Sequence, residues 1–179
     1  MLALLQSRGP SSETYGILGR VYKDCWEKGK RGRADPLATA LLNKAIDAYL
    51  KSFEADWRDP YAGINAVTLM ELASPPDPRR LTILPIVSYA VERRIADGKP
   101  DYWDHATRLE LAILASDGNR AMAALSDLLI SVREVWELET TLSNLRLIRN
   151  AREQRKEPVS LMQEIEKALE ERRTQHAAM

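Results

Sequence analysis

The sequence is short of most residues from which chemistry is built. Its 179 residues include one cysteine, Cys25, and two histidines, His105 and His176. A lone cysteine cannot close an internal disulfide, and with two isolated histidines it cannot assemble a cysteine-based zinc cluster. No metal and no cofactor is therefore expected, and a reducing, cytoplasmic setting is the default. Charge of one sign is lacking too, since Lys+Arg and Asp+Glu both number 26. General nucleic-acid or membrane-surface binding needs a basic excess and is not expected, although a local basic groove stays open. No apolar run approaches the ~18 residues of a spanning helix. Met1-Leu2-Ala3-Leu4-Leu5 is too short, and lacks the basic flank, for a signal-peptide core.

Strand formers are scarce and only one phenylalanine occurs, whereas Ala, Leu, Arg and Glu are common, which favours helix. Helix starts are well marked. Asp35-Pro36, Asp59-Pro60 and Asp77-Pro78 each put a capping carboxylate before a proline suited to a first turn. Asp101 reads as another cap, and Ser160 with Gln163 has capping-box spacing. Gly29, Gly32 and Asp97-Gly98 read as stops, and Asp117-Gly118-Asn119 as a tight turn between helices. Apolar spacing between these signals predicts helices over 13–28, 36–55, 60–73, 82–97, 102–116, 119–131, 137–154 and 159–173, with Pro85 in the first turn of the fourth. The fold class is all-α, an antiparallel helical array. Residues 1–12 read as a leader or the end of a preceding segment, 13–173 as one domain, and 174–179 as a disordered tail.

The array carries a weak repeat. Tyr15, Leu18, Gly19 and Tyr22 follow the first-helix pattern of a tetratricopeptide unit, and Ala45 and Tyr49 fit its second helix. Ala62, Asn65, Ala66 and Leu69, then Ala90, supply a second unit. Tyr102, Ala106 and Leu109, then Ala124 and Leu128, supply a third. The anchors Tyr15, Ala62 and Tyr102 stand 47 and 40 residues apart, longer than the usual ~34. The reading is a stretched, degenerate tetratricopeptide-like α-solenoid of about four helix pairs, closed by the last helix.

Several stretches in this order carry a resemblance: Gly19-Arg20-Val21-Tyr22-Lys23-Asp24, Gly63-Ile64-Asn65-Ala66, Tyr102-Trp103-Asp104, Leu114-Ala115-Ser116-Asp117 and Asn144-Leu145-Arg146-Leu147-Ile148-Arg149. Over about 13–153 the chain resembles the TRAF-binding, tetratricopeptide-containing regulatory region of apoptosis signal-regulating (ASK-type) kinases. It lacks the glycine-rich loop, His-Arg-Asp and Asp-Phe-Gly of a kinase domain. The insertion Lys28 to Arg33 and the arginine-rich texture look like a bacterial member, so TRAF binding is not expected to carry over. The resemblance implies a regulatory scaffold or sensor, with a protein partner or associated effector, or an anionic nucleotide-derived small molecule, as what it binds.

In such a solenoid the first helix of each pair lines the concave face. Arg20, Lys23 and Asp24, then Asn65, Trp103, Arg146 and Arg149, fall there. Arginine offers a planar donor fork for carboxylate or phosphate, and lysine a point charge. The alternative is that these cations pair with Asp24, Glu110 or Glu139 and fix packing. Gly16, Gly19 and Gly63 sit inside helices at a cost of about 1 kcal/mol each relative to alanine. Close helix contact suits Gly19, while contact and room for a ligand compete at Gly16 and Gly63. Trp26, Trp57, Trp103 and Trp136 lie at helix ends and read as wedges between repeats, Trp103 alone turning toward the groove. Lys28 to Arg33 lacks the spacing of a phosphate loop. No nucleophile–base or carboxylate pair stands out, so no catalysis is expected. The leading reading is a non-enzymatic binding module; a structural homo-oligomerisation module without a ligand pocket is the alternative.

Overall fold

The computed structural model describes residues 11–29 and 36–177. Among these there are eight helices and no strand: α1 Ser12–Gly29, α2 Pro36–Ala55, α3 Pro60–Leu72, α4 Arg80–Ala96, α5 Tyr102–Leu114, α6 Gly118–Ser131, α7 Val135–Gln154 and α8 Ser160–Ala177. The chain divides between Ala90 and Val91 into two compact units. The division falls within α4, where a single domain over 13–173 was expected.

In the first unit α1 packs on α2 and α2 on α3. Ala45, Ile46, Tyr49, Phe53, Ala66, Val67, Leu69 and Met70 are almost fully buried. α1 and α2 approach closely at Gly19. A Cβ on Gly19 would stand 2.8 Å from Cγ of Tyr49, below any real Cβ contact, so only glycine lets the two helices meet here. Asp59 caps α3 by accepting from the Tyr61 N–H at 3.1 Å, with Pro60 in the first turn. The Asp35 cap and the Gly32 stop fall outside the described residues.

The opening of α4 differs from expectation. Asp77 accepts from the Arg79 N–H through its side chain and from the Arg80 N–H through its carbonyl. A tight i→i+3 turn follows, with Leu81 donating to Pro78 and Thr82 to Arg79. The helix thus starts two residues early, at Arg80, and Pro85 lies in its second turn rather than its first. The proline cannot donate to the carbonyl of Leu81, but Leu81 is exposed and water can satisfy that oxygen.

In the second unit α5 pairs with α6 and α7 with α8, while α6 also touches α8 and α5 touches α7. Its core is built on Leu109, Ile113, Leu128, Leu138, Leu142, Leu145, Ile148 and Ile165. Both hairpin turns close through the same motif. The Asp117 N–H donates to the Ala112 carbonyl and Ser116 to Ile113; Glu157 donates to Arg152 and Lys156 to Glu153. This double bond pattern needs a left-handed residue after the cap. Ser116 (φ 56°) and Lys156 (φ 60°) take that place, not glycine. Gly118, expected in the turn, instead opens α6 beneath the Asp117 cap.

Two further expectations are corrected. Ser160 does not head a capping box with Gln163. It is already helical, and the Gln163 N–H donates to the carbonyl of Val159. The expected disordered tail at 174–179 is helical as far as Ala177, where the His176 ring nitrogen Nε2 bonds the Arg133 carbonyl oxygen at 3.0 Å.

Candidate partner-binding surfaces

The first unit gathers polar side chains from α1 and α3. Asn65 lies one turn after Tyr61 and donates its amide to the Tyr61 carbonyl at 2.9 Å. That bond fixes the amide so that its Oδ1 accepts from Lys23 Nζ at 3.3 Å. Lys23 and Asn65, placed on one face by spacing alone, are therefore in contact. Arg20 and Asp24 are exposed. Neither they nor Lys23 forms an ion pair among the described residues. Tyr49 lies beneath: its ring meets Tyr61 edge-on at 6.5 Å. Burial, and then Tyr61, raise the Tyr49 hydroxyl pKa above its ordinary value, while Arg20 pulls it down and Asp24 pushes it up. The face thus combines two cations without a described counter-charge, one carboxylate, one oriented amide and the half-exposed Tyr61.

The second unit holds the other three expected residues, and it uses them differently. Arg146 pairs with Glu170 and, at 3.8 Å, with Glu166. Arg149 makes bonds of 2.8 Å to both Glu153 and Glu166. Glu153 and Glu166 raise the Arg149 pKa above its ordinary value, holding the guanidinium charged. These arginines clip α7 to α8. Their partners are Glu153, Glu166 and Glu170, rather than the Asp24, Glu110 or Glu139 expected from the sequence.

Trp103 is half-buried. It stands edge-on to Tyr102 at 5.1 Å, and 5.5 Å from Trp136 at a 38° tilt. The reason is local. Asp101 accepts from the Trp103 and Asp104 N–H groups while Asp104 accepts from Asp101, so the first turn of α5 is closed by a reciprocal cap. Glu137 does similar work for α7, accepting from the Arg133 and Glu134 N–H groups. The buried bond between the Tyr102 and Thr141 hydroxyls, 2.8 Å, ties the two helices together.

The glycines separate on packing. A Cβ on Gly63 would stand 2.6 Å from Val87 Cγ2 and 3.0 Å from the Phe53 ring, so this position is filled by protein and offers no room for a ligand. At Gly16 the nearest atom is Ser52 Oγ at 3.3 Å, a tight but lesser contact. Of the tryptophans, Trp26 is buried as a wedge should be. Trp57 and Trp136 are 51% and 55% exposed, Trp136 leaning on Trp103 of α5. Trp57 sits in the turn before α3, and Trp136 is the second residue of α7, facing outward. Sequence reasoning missed Tyr61 and Trp136 as surface residues. The i,i+4 relation of Tyr61 to Asn65 was the available signal for the first.

Among the described residues no group of His, Cys, Asp and Glu is placed to hold a metal ion, and no helix is long and apolar enough to cross a membrane. The described residues thus present two helix-borne polar surfaces on an all-α chain. Residues 1–168 match the family described as MAP3K TRAFs-binding domain, and the chain belongs to that family. It is 28% identical over 148 residues to mitogen-activated protein kinase kinase kinase nsy-1 of Caenorhabditis elegans, covering 80% of this chain and 10% of that protein. It is also 28% identical over 160 residues to mitogen-activated protein kinase kinase kinase 15 of Mus musculus, covering 83% of this chain and 11% of that protein. The chain spans about a tenth of the length of these relatives.

Proposed function

We propose that this chain is a non-catalytic, protein-binding regulatory module that captures a partner protein on the α1–α3 face and thereby controls an associated effector. The family's description, which names binding to TRAFs, supports a protein partner. The observation that carries the location is the pair Arg20 and Lys23, on one face beside Asn65 and in no ion pair among the described residues. Such a face suits carboxylate or phosphate groups on the partner, which would complete charge-assisted hydrogen bonds. The helix pairs are read as degenerate tetratricopeptide units, whose first helices line the binding side. The setting is cytoplasmic.

A nucleotide-derived anion is the weaker reading. It requires Arg20 and Lys23 to act with Arg146, and Arg146 is occupied by Glu166 and Glu170. The test is the affinity of the purified chain for a TRAF protein, the partner class that the family's description names, measured by titration calorimetry. Joint replacement of Arg20 and Lys23 by Ala should weaken binding at least about tenfold, from the loss of charge-assisted bonds. Unchanged affinity would remove the α1–α3 face as the site. A thermal shift with nucleotides at a hundredfold excess over Kd should reach roughly 2.7 kcal/mol if the small-molecule reading is right. Its absence rejects that reading.

A further inference from the structure

The exposed indole of Trp136 has a chemical setting opposite to that of the α1–α3 face. Within three residues of Trp103 and Trp136 stand Asp101, Asp104, Glu134, Glu137 and Glu139, against Arg133 and His105. Arg133 is taken by Glu137, and Asp104 is taken by Arg94. Asp101 is turned onto the backbone of α5. Glu134 and Glu139 remain exposed, with no ion pair among the described residues. Glu139 lies one turn along α7 from Trp136 and so shares its side of the helix.

We infer that Trp136, backed by Trp103 and sharing its side of α7 with Glu139, is a docking platform for an arginine side chain presented by a partner protein segment. The chemistry selects the occupant. An indole face attracts a cation through its quadrupole, and a guanidinium also stacks on it as a flat plate. The unpaired Glu139 carboxylate supplies counter-charge that an anionic segment would meet as repulsion. A purely apolar segment would strip water from it without return. The platform is also held in place before anything binds. Trp103 is pinned edge-on to Tyr102, whose hydroxyl is bonded to Thr141 on α7, and both helix starts are capped. Little ordering is left for the bound state to impose.

The assignment rests on reading the chain as a protein-binding module, but not on Arg20 or Lys23. The whole chain, isotope-labelled, is titrated with three blocked peptides, Gly-Arg-Gly-Arg-Gly, Gly-Lys-Gly-Lys-Gly and Gly-Glu-Gly-Glu-Gly, while the indole N–H signals are followed by NMR. Trp57 is the internal control, because it is as exposed as Trp136 but stands beside an Asp56–Arg58 ion pair in the other unit. The arginine peptide should shift the Trp136 and Trp103 signals saturably and leave Trp57 still. Trp136→Ala should abolish saturation at Trp103, and Glu139→Gln should weaken binding several-fold. Both positions are exposed, so a melting curve that matches the parent protein verifies the fold. Arg20→Ala with Lys23→Ala should leave the response unchanged, which separates this inference from the α1–α3 reading. Equal shifts at Trp57, lysine binding as well as arginine, a response to the glutamate peptide, or no saturable shift at all would each overturn the inference.

Discussion

Replacing Gly63 by Ala tests whether that position is filled by protein. Two effects oppose each other. Alanine in a helix interior gains up to about 1 kcal/mol over glycine. Against this, the new methyl would stand 2.6 Å from Val87 Cγ2 and 3.0 Å from Phe53. Comfortable carbon contacts lie at about 3.5–4.0 Å, so Val87 must retreat by about 1 Å. It has nowhere to go, being 0% exposed. Overpacking of this kind costs about 1–3 kcal/mol. The net expectation is a loss of about 1–2 kcal/mol, read as a lowered urea midpoint by far-UV circular dichroism. Gly16→Ala is the matched control: its neighbour is the Ser52 hydroxyl at 3.3 Å, which needs to yield only a few tenths of an ångström. Propensity should win there, leaving stability equal or up to ~1 kcal/mol higher. A double-mutant cycle completes the argument. Val87→Ala alone should cost roughly 2 kcal/mol, yet combined with Gly63→Ala it should cost less than the sum, because the new methyl fills part of the cavity. If Gly63→Ala is as benign as Gly16→Ala, the space beside Gly63 is open and the packing argument fails.

Ser116→Gly and Lys156→Gly should each stabilise the second unit by about 1 kcal/mol, because glycine removes the left-handed penalty of these cap positions. A melting temperature that falls in either variant would refute the cap reading. Burial pushes the Tyr102 hydroxyl up to about 12, against an ordinary value of 10.0. The unfolded chain then loses its proton first, so stability falls as pH rises from about 10 toward 12, by roughly 2–3 kcal/mol for this group. Tyr49, also raised, acts in the same direction. Tyr102→Phe should flatten that alkaline decline while costing about 1–3 kcal/mol at neutral pH, since Thr141 loses its partner. Urea titrations at neutral pH and at pH near 11 check both halves.

Much of the helical frame was legible because its boundaries are set by short-range chemistry. Asp59-Pro60 and Asp101 cap where their side chains can reach the next N–H groups, and the helices start there. Gly19 was legible as a contact because a small residue between Leu18 and Tyr22 has little other use within a helix. What failed had causes beyond the local window. The early start of α4 comes from a turn built on Asp77, and the left-handed caps use Ser116 and Lys156, which no composition rule singles out. The division at Ala90 lies inside a continuous helix and leaves no punctuation in the sequence. Gly63 stayed ambiguous because its neighbours, Phe53 and Val87, come from other helices.

The arginines of α7 and the cations of α1 illustrate the limit most clearly. Arg20 with Lys23 and Arg146 with Arg149 have the same i,i+3 spacing on helices that seemed equivalent in the repeat. What distinguishes them is the helix that follows. Glu166 and Glu170, one turn apart on α8, meet Arg146 and Arg149 and consume their charge. Read alone, those glutamates look like an ordinary solvated face. On α2 the corresponding side chains are lysines: Lys44 lies over the Tyr22 ring and Lys51 over Tyr15. They cover the tyrosines of α1 by cation–π contact and bring no carboxylate to Arg20 or Lys23. A cation's availability thus depends on what the paired helix presents to it. By this criterion α1 leaves Arg20 and Lys23 out of ion pairs among the described residues, whereas α7 commits Arg146 and Arg149 to its packing on α8. In the second unit the exposed indole of Trp136 and the carboxylate of Glu139, on the same side of α7, stay outside any ion pair among the described residues.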